Sequence, residues 1–344
     1  MTIEPFDPRT VSDAEWAAHH DLVASIDAEA VPDDEPMPLA EHIAWVKHGP
    51  THRHCFLWAA WDDERRRMLG VSFFMFWDEP TNRDLGSFWV DVRPEARRRG
   101  LGLRLLEPVV ETAGVHGRTL LDAFARPGIP AGEPFLDGIG GRLAFTGRVN
   151  ALDVDAIDLT MLHDWVDRAK ERAADYRLDG WDAPCPDDRV ESFIGAQSIM
   201  NTAPKEDFEV EDEVFTVDQL RKREASWRER KADTWWLAAI HEPTGDIAGY
   251  TELTLPGHWP SRAYQGDTGV DPAHRNQGLG RWLKAAMLLR LIDERPAVRR
   301  VTTHNAGSNE PMLNINHALG FRCISEHPTY QIPLQSIVAR LASR

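Results

Sequence analysis

The sequence has few cysteines, no long apolar run and no excess of positive charge. Its three cysteines, Cys55, Cys185 and Cys323, are too few and too widely spaced for a disulfide framework or a Cys-x-x-Cys metal site. No run of eighteen or more apolar residues occurs, and the first residues are acidic where a secretory signal would be basic and then apolar. We therefore expect a cytoplasmic protein that does not insert in a membrane.

The charge and composition narrow the classes of partner. A net charge of -16 argues against non-specific binding to nucleic acid or to anionic lipid, and it mildly favours cationic ligands such as amines. The histidine pairs at 19 to 20 and 52 to 54 have no third ligand at a regular spacing, so we expect no metal site. The 344 residues, of which 42% are hydrophobic, predict two domains, and the sequence leaves open whether the protein is a monomer or a homodimer.

The main feature that is present is an internal repeat. Residues 90–106 and 269–288 share a glycine motif, and the flanking segments 57–74 and 236–253 also correspond. Each matched residue of the second copy lies 178 positions after its counterpart in the first, as 270 minus 92 shows. The pairs are Val92 and Val270, Pro94 and Pro272, Arg97 and Arg275, Gly100 and Gly278, Leu101 and Leu279, and Gly102 and Gly280. One glycine motif is a weak signal, but a matched pair indicates a duplication.

Each copy follows one order of predicted elements: strand, turn, strand, long loop, strand, glycine turn, helix, strand, helix, strand. This order predicts a mixed α/β domain. The helix after residue 278 places Leu279, Trp282 and Leu283 on an apolar face, with Lys284 among the charged residues that point elsewhere. We place an N-terminal domain at 1–155, a linker helix at 156–178 and a C-terminal domain at 179–344.

The glycine turn predicts an anion site. A helix N-terminus carries unpaired N–H groups and a positive dipole end, and Gly278 and Gly280 lack side chains that would block a phosphate. Neither the dinucleotide-binding pattern nor the Walker pattern fits this spacing. The alternative, that the glycines only permit a tight turn, is weakened by the second occurrence at Arg97 to Gly102.

The two turns resemble the pyrophosphate loop of the GNAT superfamily of N-acetyltransferases: Arg or Gln, two variable residues, Gly, one residue, then Gly or Ala. The resemblance covers nearly the whole chain, and the tandem layout resembles that of mycothiol synthase-like actinobacterial proteins. It implies two tandem GNAT-like domains, each a mixed, mostly antiparallel sheet flanked by helices. It also implies acetyl-CoA as co-substrate, with the residues that bind it being Thr268, Gly269, Val270, Arg275, Asn276, Gln277, Gly278, Leu279, Gly280, Arg281 and Asn309, and in the first copy Arg97, Arg98, Arg99, Gly100, Leu101 and Gly102.

The catalytic residues are less determined by the sequence. The resemblance implies direct attack by an amine, which requires a base, a donor to the oxyanion and an acid for the thiolate. Asp267 is the first candidate for the base, and Glu252 and His258 are alternatives. Asn305 matches a family position near the acceptor or CoA, and Asn316 stands where many members have the tyrosine that protonates the thiolate.

These residues predict an N-acyltransferase that moves an acetyl group from acetyl-CoA to a primary amine of a small molecule in a ternary complex. Mycothiol synthesis and the acetylation of antibiotics or polyamines all fit this class. The first copy has Trp89 in place of Asp267 and lacks the asparagines, which predicts that it has lost catalysis while CoA binding there stays open. The alternative for the whole chain is a non-catalytic protein that binds or senses acyl-CoA.

Overall fold

The computed structural model describes residues 1–343. They form two compact units. Unit 1 comprises Met1–Gly147, Lys205–Glu211 and the chain from Ser325 onward, and unit 2 comprises Arg148–Pro204 and Asp212–Ile324. No helix in the described part of the chain is both long and apolar enough to cross a membrane.

The elements alternate between strands and helices along both repeats. The strands are β1 (Thr2–Pro5), β2 (Arg53–Trp61), β3 (Met68–Trp77), β4 (Leu85–Val92), β5 (Leu120–Phe124), β6 (Arg142–Asp153), β7 (Tyr176–Asp182), β8 (Asp233–His241), β9 (Ile247–Leu255), β10 (Arg262–Val270), β11 (Arg300–Ala306) and β12 (Arg322–Pro333). The α-helices are α1 (Asp13–Ala30), α2 (Leu39–Lys47), α3 (Leu101–Val115), α4 (Gly132–Gly138), α5 (Leu159–Arg172), α6 (Val190–Gln197), α7 (Val217–Glu229), α8 (Leu279–Glu294), α9 (Glu310–Leu319) and α10 (Leu334–Ala342).

Both units contain a mixed, mostly antiparallel sheet, which confirms the predicted fold class. The strand order is β1-β2-β3-β4-β5-β12 in unit 1 and β6-β11-β10-β9-β8-β7 in unit 2. The recorded pairs are antiparallel except for one parallel pair in each unit, β4 with β5 and β10 with β11. The predicted hairpin of the second copy is present as β8 and β9.

The division into units differs from the predicted boundaries at 155 and 178. Most of β12 belongs to unit 1, where residues 329–333 pair with β5 and where Tyr330 and Ile332 join the core. The last residues of β6 belong to unit 2, where Asp153 forms ion pairs with Arg300 and Arg322. The helix expected at 156–178 is α5, and β7 begins at Tyr176 because that residue already pairs with β8.

Helix α8 packs as expected except at one position. Leu279, Trp282 and Leu283 are buried in the core of unit 2. The expectation that Lys284 points away from the core is wrong, since this lysine is only 1% exposed. Its Nζ donates a hydrogen bond to Asn316 Oδ1 over 2.8 Å and lies 5.3 Å from the ring centre of Phe321. Periodicity alone could not show this, because the partner is brought there by α9.

Candidate active site

The glycine turns have the same backbone conformation in both units. In unit 2, Asn276 has a φ of 65° and Gly278 a φ of 86° immediately before α8. The corresponding values in unit 1 are 61° at Arg98 and 76° at Gly100. A Cβ at Gly278 would meet no atom within 4 Å, so the space above the turn is open. Glycine is favoured there because of the left-handed backbone and not because of crowding.

A cleft of about 590 Å³ in unit 2 begins at this turn. Among the predicted CoA-binding residues, those that line it are Thr268, Gly269, Val270, Arg275, Asn276, Gly278, Leu279, Gly280, Arg281 and Asn309. Gln277 is exposed and does not line the cleft. Asn309 also caps α9, since its side chain accepts a hydrogen bond from the N–H of Met312. Arg172 and the wall formed by Ile199 and Met200 were not predicted, because they come from segments that no motif marks.

Three arginines make the cleft positive near the turn. Arg275 donates to the carbonyl of Val270 over 3.0 Å and to the hydroxyl of Thr202 over 2.7 Å. Arg172 donates to the carbonyl of Asn276 over 2.8 Å. Arg281 lies 5.1 Å from the ring centre of a tryptophan of α5. Within residues 1–343 none of the three forms an ion pair, so their charges are available to an anion.

Midway along β10 the sheet opens. β10 pairs with β11 only from Arg262 to Gln265, opposite residues 300–303, and the two parallel strands then part. At the same point the register with β9 shifts. Gln265 is opposite Leu253 and Thr268 is opposite Thr251, so Gly266 and Asp267 together face Glu252 alone, as in a β-bulge.

The bulge brings two carboxylates together. Asp267 accepts a hydrogen bond of 3.4 Å from Tyr250 Oη. Glu252 Oε2 accepts hydrogen bonds from Trp236 Nε1 at 3.0 Å and from Arg223 Nη2 at 3.3 Å. Burial raises the pKa of both carboxyls, with Arg223 acting in the opposite direction on each, and the charge of Asp267 further raises the pKa of Glu252. The structure therefore places the sequence's first candidate base beside one of its two alternatives.

The other predicted polar residues lie on the opposite strand and on the helices behind it. Asn316 Nδ2 donates to Asn305 Oδ1 over 2.9 Å, and Asn150 Nδ2 donates to the same oxygen over 3.2 Å. Neither Asn305 nor Asn316 is part of the cleft lining; Asn305 is partly exposed, whereas Asn316 is fully buried. His258, in the loop after β9, does not line the cleft either. No group of three or more potential metal-ligating side chains occurs among the described residues.

Gly266 permits the close approach of Glu252. A Cβ at this position would lie 2.8 Å from Glu252 Oε1, the carboxylate oxygen that Trp236 and Arg223 do not hold. We expect Gly266→Ala to displace this carboxylate and to lower kcat about tenfold, the smaller part of what one positioned acid or base contributes. The measurement is steady-state turnover together with calorimetric binding of acetyl-CoA, which should be unchanged.

The matched control is Gly195→Ala in α6, where an added Cβ meets no atom within 4 Å. It should leave kcat unchanged. Full turnover in Gly266→Ala would show that the position of the Glu252 carboxylate does not matter.

Unit 1 has a smaller cleft of about 450 Å³, lined by Arg97, Arg98, Gly100, Leu101 and Gly102 but not by Arg99. Its chemistry differs from that of unit 2. Arg97 forms a two-point ion pair with Glu29, at 2.7 and 2.6 Å, which neutralises its charge. The corresponding residue of unit 2, Arg275, has no such acidic partner. β3 and β4 pair from residues 70–75 to 87–92 without a bulge, and Trp89 stacks on Phe73 with ring centres 3.8 Å apart.

Comparison with known proteins agrees with this geometry. Residues 199–321 match the model of the Acetyltransferase (GNAT) family. No curated protein matches the sequence. A solved tandem GNAT protein from the clavulanic acid biosynthesis pathway is 25% identical, with a TM-score of 0.78 over 97% of this chain and 98% of its own.

Two further solved structures share the fold at lower identity. A GCN5-related N-acetyltransferase from Sphaerobacter thermophilus is 15% identical, with a TM-score of 0.65 over 97% of this chain and 95% of its own. A putative acetyltransferase from Pyrococcus horikoshii is 11% identical, with a TM-score of 0.53 over 96% and 89%. The expected likeness to mycothiol synthase stays a prediction. Residues 199–321 therefore carry a GNAT acetyltransferase domain, and the chain as a whole has the tandem GNAT fold, which together support an acyltransferase enzyme.

Proposed function

We propose that unit 2 transfers an acetyl group from acetyl-CoA to a primary amine of a small molecule, by direct attack within a ternary complex. One observation carries the proposal. The bulge at Gly266 and Asp267 brings the partly buried Asp267 to the buried Glu252 where β10 and β11 part, and β10 then leads into the glycine turn. A thioester held along this strand would therefore have its acid–base groups at one end and its phosphates at the other.

The residues of the cleft fit acetyl-CoA. The N–H groups at the start of α8 and the unpaired charges of Arg172, Arg275 and Arg281 suit its phosphates. The backbone of Thr268 to Val270 has no strand partner on the side of β11, so its groups, apart from the Val270 carbonyl that Arg275 bonds, can pair with an extended amide chain. When bound, acetyl-CoA supplies the thioester carbonyl and the thiolate leaving group.

The bulge supplies the chemistry around the reacting atoms. Asp267, with its raised pKa, accepts a proton from the acceptor ammonium and leaves a neutral amine that attacks the thioester carbonyl, and Arg223 and Trp236 hold Glu252 in place beside it. A β-bulge leaves backbone groups out of the ladder, and an N–H freed in this way can donate to the oxygen that becomes negative.

The charge at the bulge suggests the class of acceptor. The site holds two carboxyl groups, those of Asp267 and Glu252, beside a single guanidinium, that of Arg223. It therefore attracts a positively charged amine. The tandem relative from the clavulanic acid biosynthesis pathway supports a small-molecule acceptor.

For unit 1 we propose a non-catalytic role. Its β3–β4 ladder has no bulge, and its turn arginine is neutralised by Glu29. The acyl chain length, the cytoplasmic location and the monomeric or dimeric state stay predictions.

The direct test is a thiol-release assay with acetyl-CoA across a panel of primary amines, with products identified by mass spectrometry. We expect N-acetylated product and initial-rate plots that intersect, as a ternary complex requires. Parallel plots would contradict direct attack. Acetyl-CoA binding without turnover on any amine in the panel would instead favour an acyl-CoA-binding protein.

A further inference from the structure

Lys284 is a buried cation without an acidic partner. Its side chain, 1% exposed, makes one recorded hydrogen bond, to Asn316 Oδ1. Burial lowers the pKa of its amine to about 7, and no opposing charge offsets that effect. Burying an unpaired ammonium costs several kcal/mol, so a leucine or methionine at this position of α8 would be expected if packing were its only role.

The hydrogen bonds that begin at Lys284 have a fixed direction. In its protonated form Lys284 can only donate, so the carbonyl oxygen of Asn316 then faces Lys284 and its Nδ2 faces Asn305. That Nδ2 group donates to Asn305 Oδ1, which also accepts from Asn150 Nδ2. Both lone pairs of the Asn305 oxygen are then occupied, and its Nδ2 group is left to donate elsewhere.

The free end of this chain lies where the strands part. Asn305 is two residues beyond Thr303, the last residue of β11 that pairs with β10. Its side chain is partly exposed, whereas those of Asn316, Asn150 and Lys284 are buried. Within this series of hydrogen-bonded side chains, the amide of Asn305 is therefore the polar group that a bound substrate can reach.

We propose that Lys284 is a positioning residue that fixes the orientation of the Asn316 and Asn305 amides, so that Asn305 presents Nδ2 as a hydrogen-bond donor to the acyl group at the splayed strands. The inference rests on the proposed acetyl transfer and assigns an orienting residue to it. With an apolar residue in place of Lys284, either orientation of Asn316 would leave one of its polar atoms unpaired. Only the hydrogen bond from Asn150 would then favour the present orientation of Asn305, so the two orientations would be closer in energy and the amides less firmly oriented.

The experiment compares Lys284→Met with Lys284→Gln, because the shorter Gln side chain keeps an N–H that can donate to Asn316. We expect Lys284→Met to lower kcat about tenfold, the loss expected for one hydrogen bond to a reacting group, with the KM and Kd for acetyl-CoA unchanged. Lys284→Gln should recover most of that loss. Adding Lys284→Met to Asn305→Ala should cause no further loss, since both changes remove the same donor.

A second readout does not depend on turnover. In protein labelled with ¹⁵N-asparagine, the side-chain amide resonances of Asn305 and Asn316 should shift or broaden in Lys284→Met and return in Lys284→Gln. If wild type proves inactive on all amines, the proposed function fails while these spectra still test the orientation. Unchanged resonances in Lys284→Met, or additive losses in the double variant, would overturn the inference.

A variant that leaves Lys284 in place covers the case in which Lys284→Met does not fold. Asn305→Asp keeps an oxygen to accept from Asn316 and Asn150 but has no amide N–H to donate. It should lose kcat about tenfold, as Asn305→Ala does. Wild-type turnover in Asn305→Asp would equally overturn the inference.

Discussion

Asp267→Asn is expected to lower kcat about 100-fold, at the lower end of what a positioned general base contributes, without loss of acetyl-CoA binding. Burial raises the pKa of Asp267, and a base acts only when deprotonated. In wild type, kcat/KM should therefore fall as the pH drops through a value above the ordinary aspartate range, and the variant should lose that acid limb. The measurement is kcat/KM against pH for both proteins.

The neighbouring carboxylate provides the comparison for this prediction. Glu252→Gln should lower kcat less than Asp267→Asn, because Trp236 and Arg223 hold one of its oxygens and limit it to support of Asp267. The matched control is Asp293→Asn on the exposed face of α8, which should leave the pH profile unchanged. An Asp267→Asn enzyme with wild-type turnover and an unaltered acid limb would remove Asp267 as the base.

Gly278→Glu is expected to weaken acetyl-CoA binding at least 100-fold. The glutamate would project into the open space above the turn and place a negative charge where the phosphates are expected. It would also strain the turn, since a φ of 86° costs a side chain about 1 kcal/mol relative to glycine. Calorimetric titration of acetyl-CoA measures the loss.

Two controls separate charge from strain and unit 2 from unit 1. Gly278→Ala carries the same strain without the carboxylate, so its Kd should change less than tenfold, as about 1 kcal/mol allows. Gly100→Glu makes the same change at the corresponding turn of unit 1, where φ is 76°, and should leave turnover intact. Equal losses in Gly278→Ala and Gly278→Glu would show that the turn matters only for folding. Loss of turnover in Gly100→Glu would place the active cleft in unit 1.

The contrast between the units shows how a shared backbone can serve different chemistry. Both turns have residues with positive φ at corresponding positions before a helix. The difference lies in a few side chains, because Glu29 pairs with Arg97 in unit 1 while Arg275 in unit 2 bonds only to neutral oxygens. Arg98 still lines the cleft of unit 1, so the pairing of Arg97 reduces the positive charge at that turn without removing it.

The sequence by itself determined the duplication, the mixed α/β class and the position of both glycine turns. These follow from local patterns, since residues spaced along one strand or one helix turn carry the signal. The cleft wall at Thr268 to Val270 was predicted in the same way, by its place in the strand before a turn that resembles a known motif.

Only the tertiary structure decided the rest. It assigned β12 to unit 1 and the end of β6 to unit 2, and it brought Asp267 to Glu252 across a bulge. It also placed Arg172 in the cleft and buried Lys284. Each of these features joins residues that lie far apart in the sequence or in different elements. Strand register and packing create these pairs, and periodicity within one segment does not depend on which segment packs against it. A charged residue on a helix looks solvent-exposed until the neighbouring helix supplies its partner, and this is why Lys284 was predicted to point away from the core.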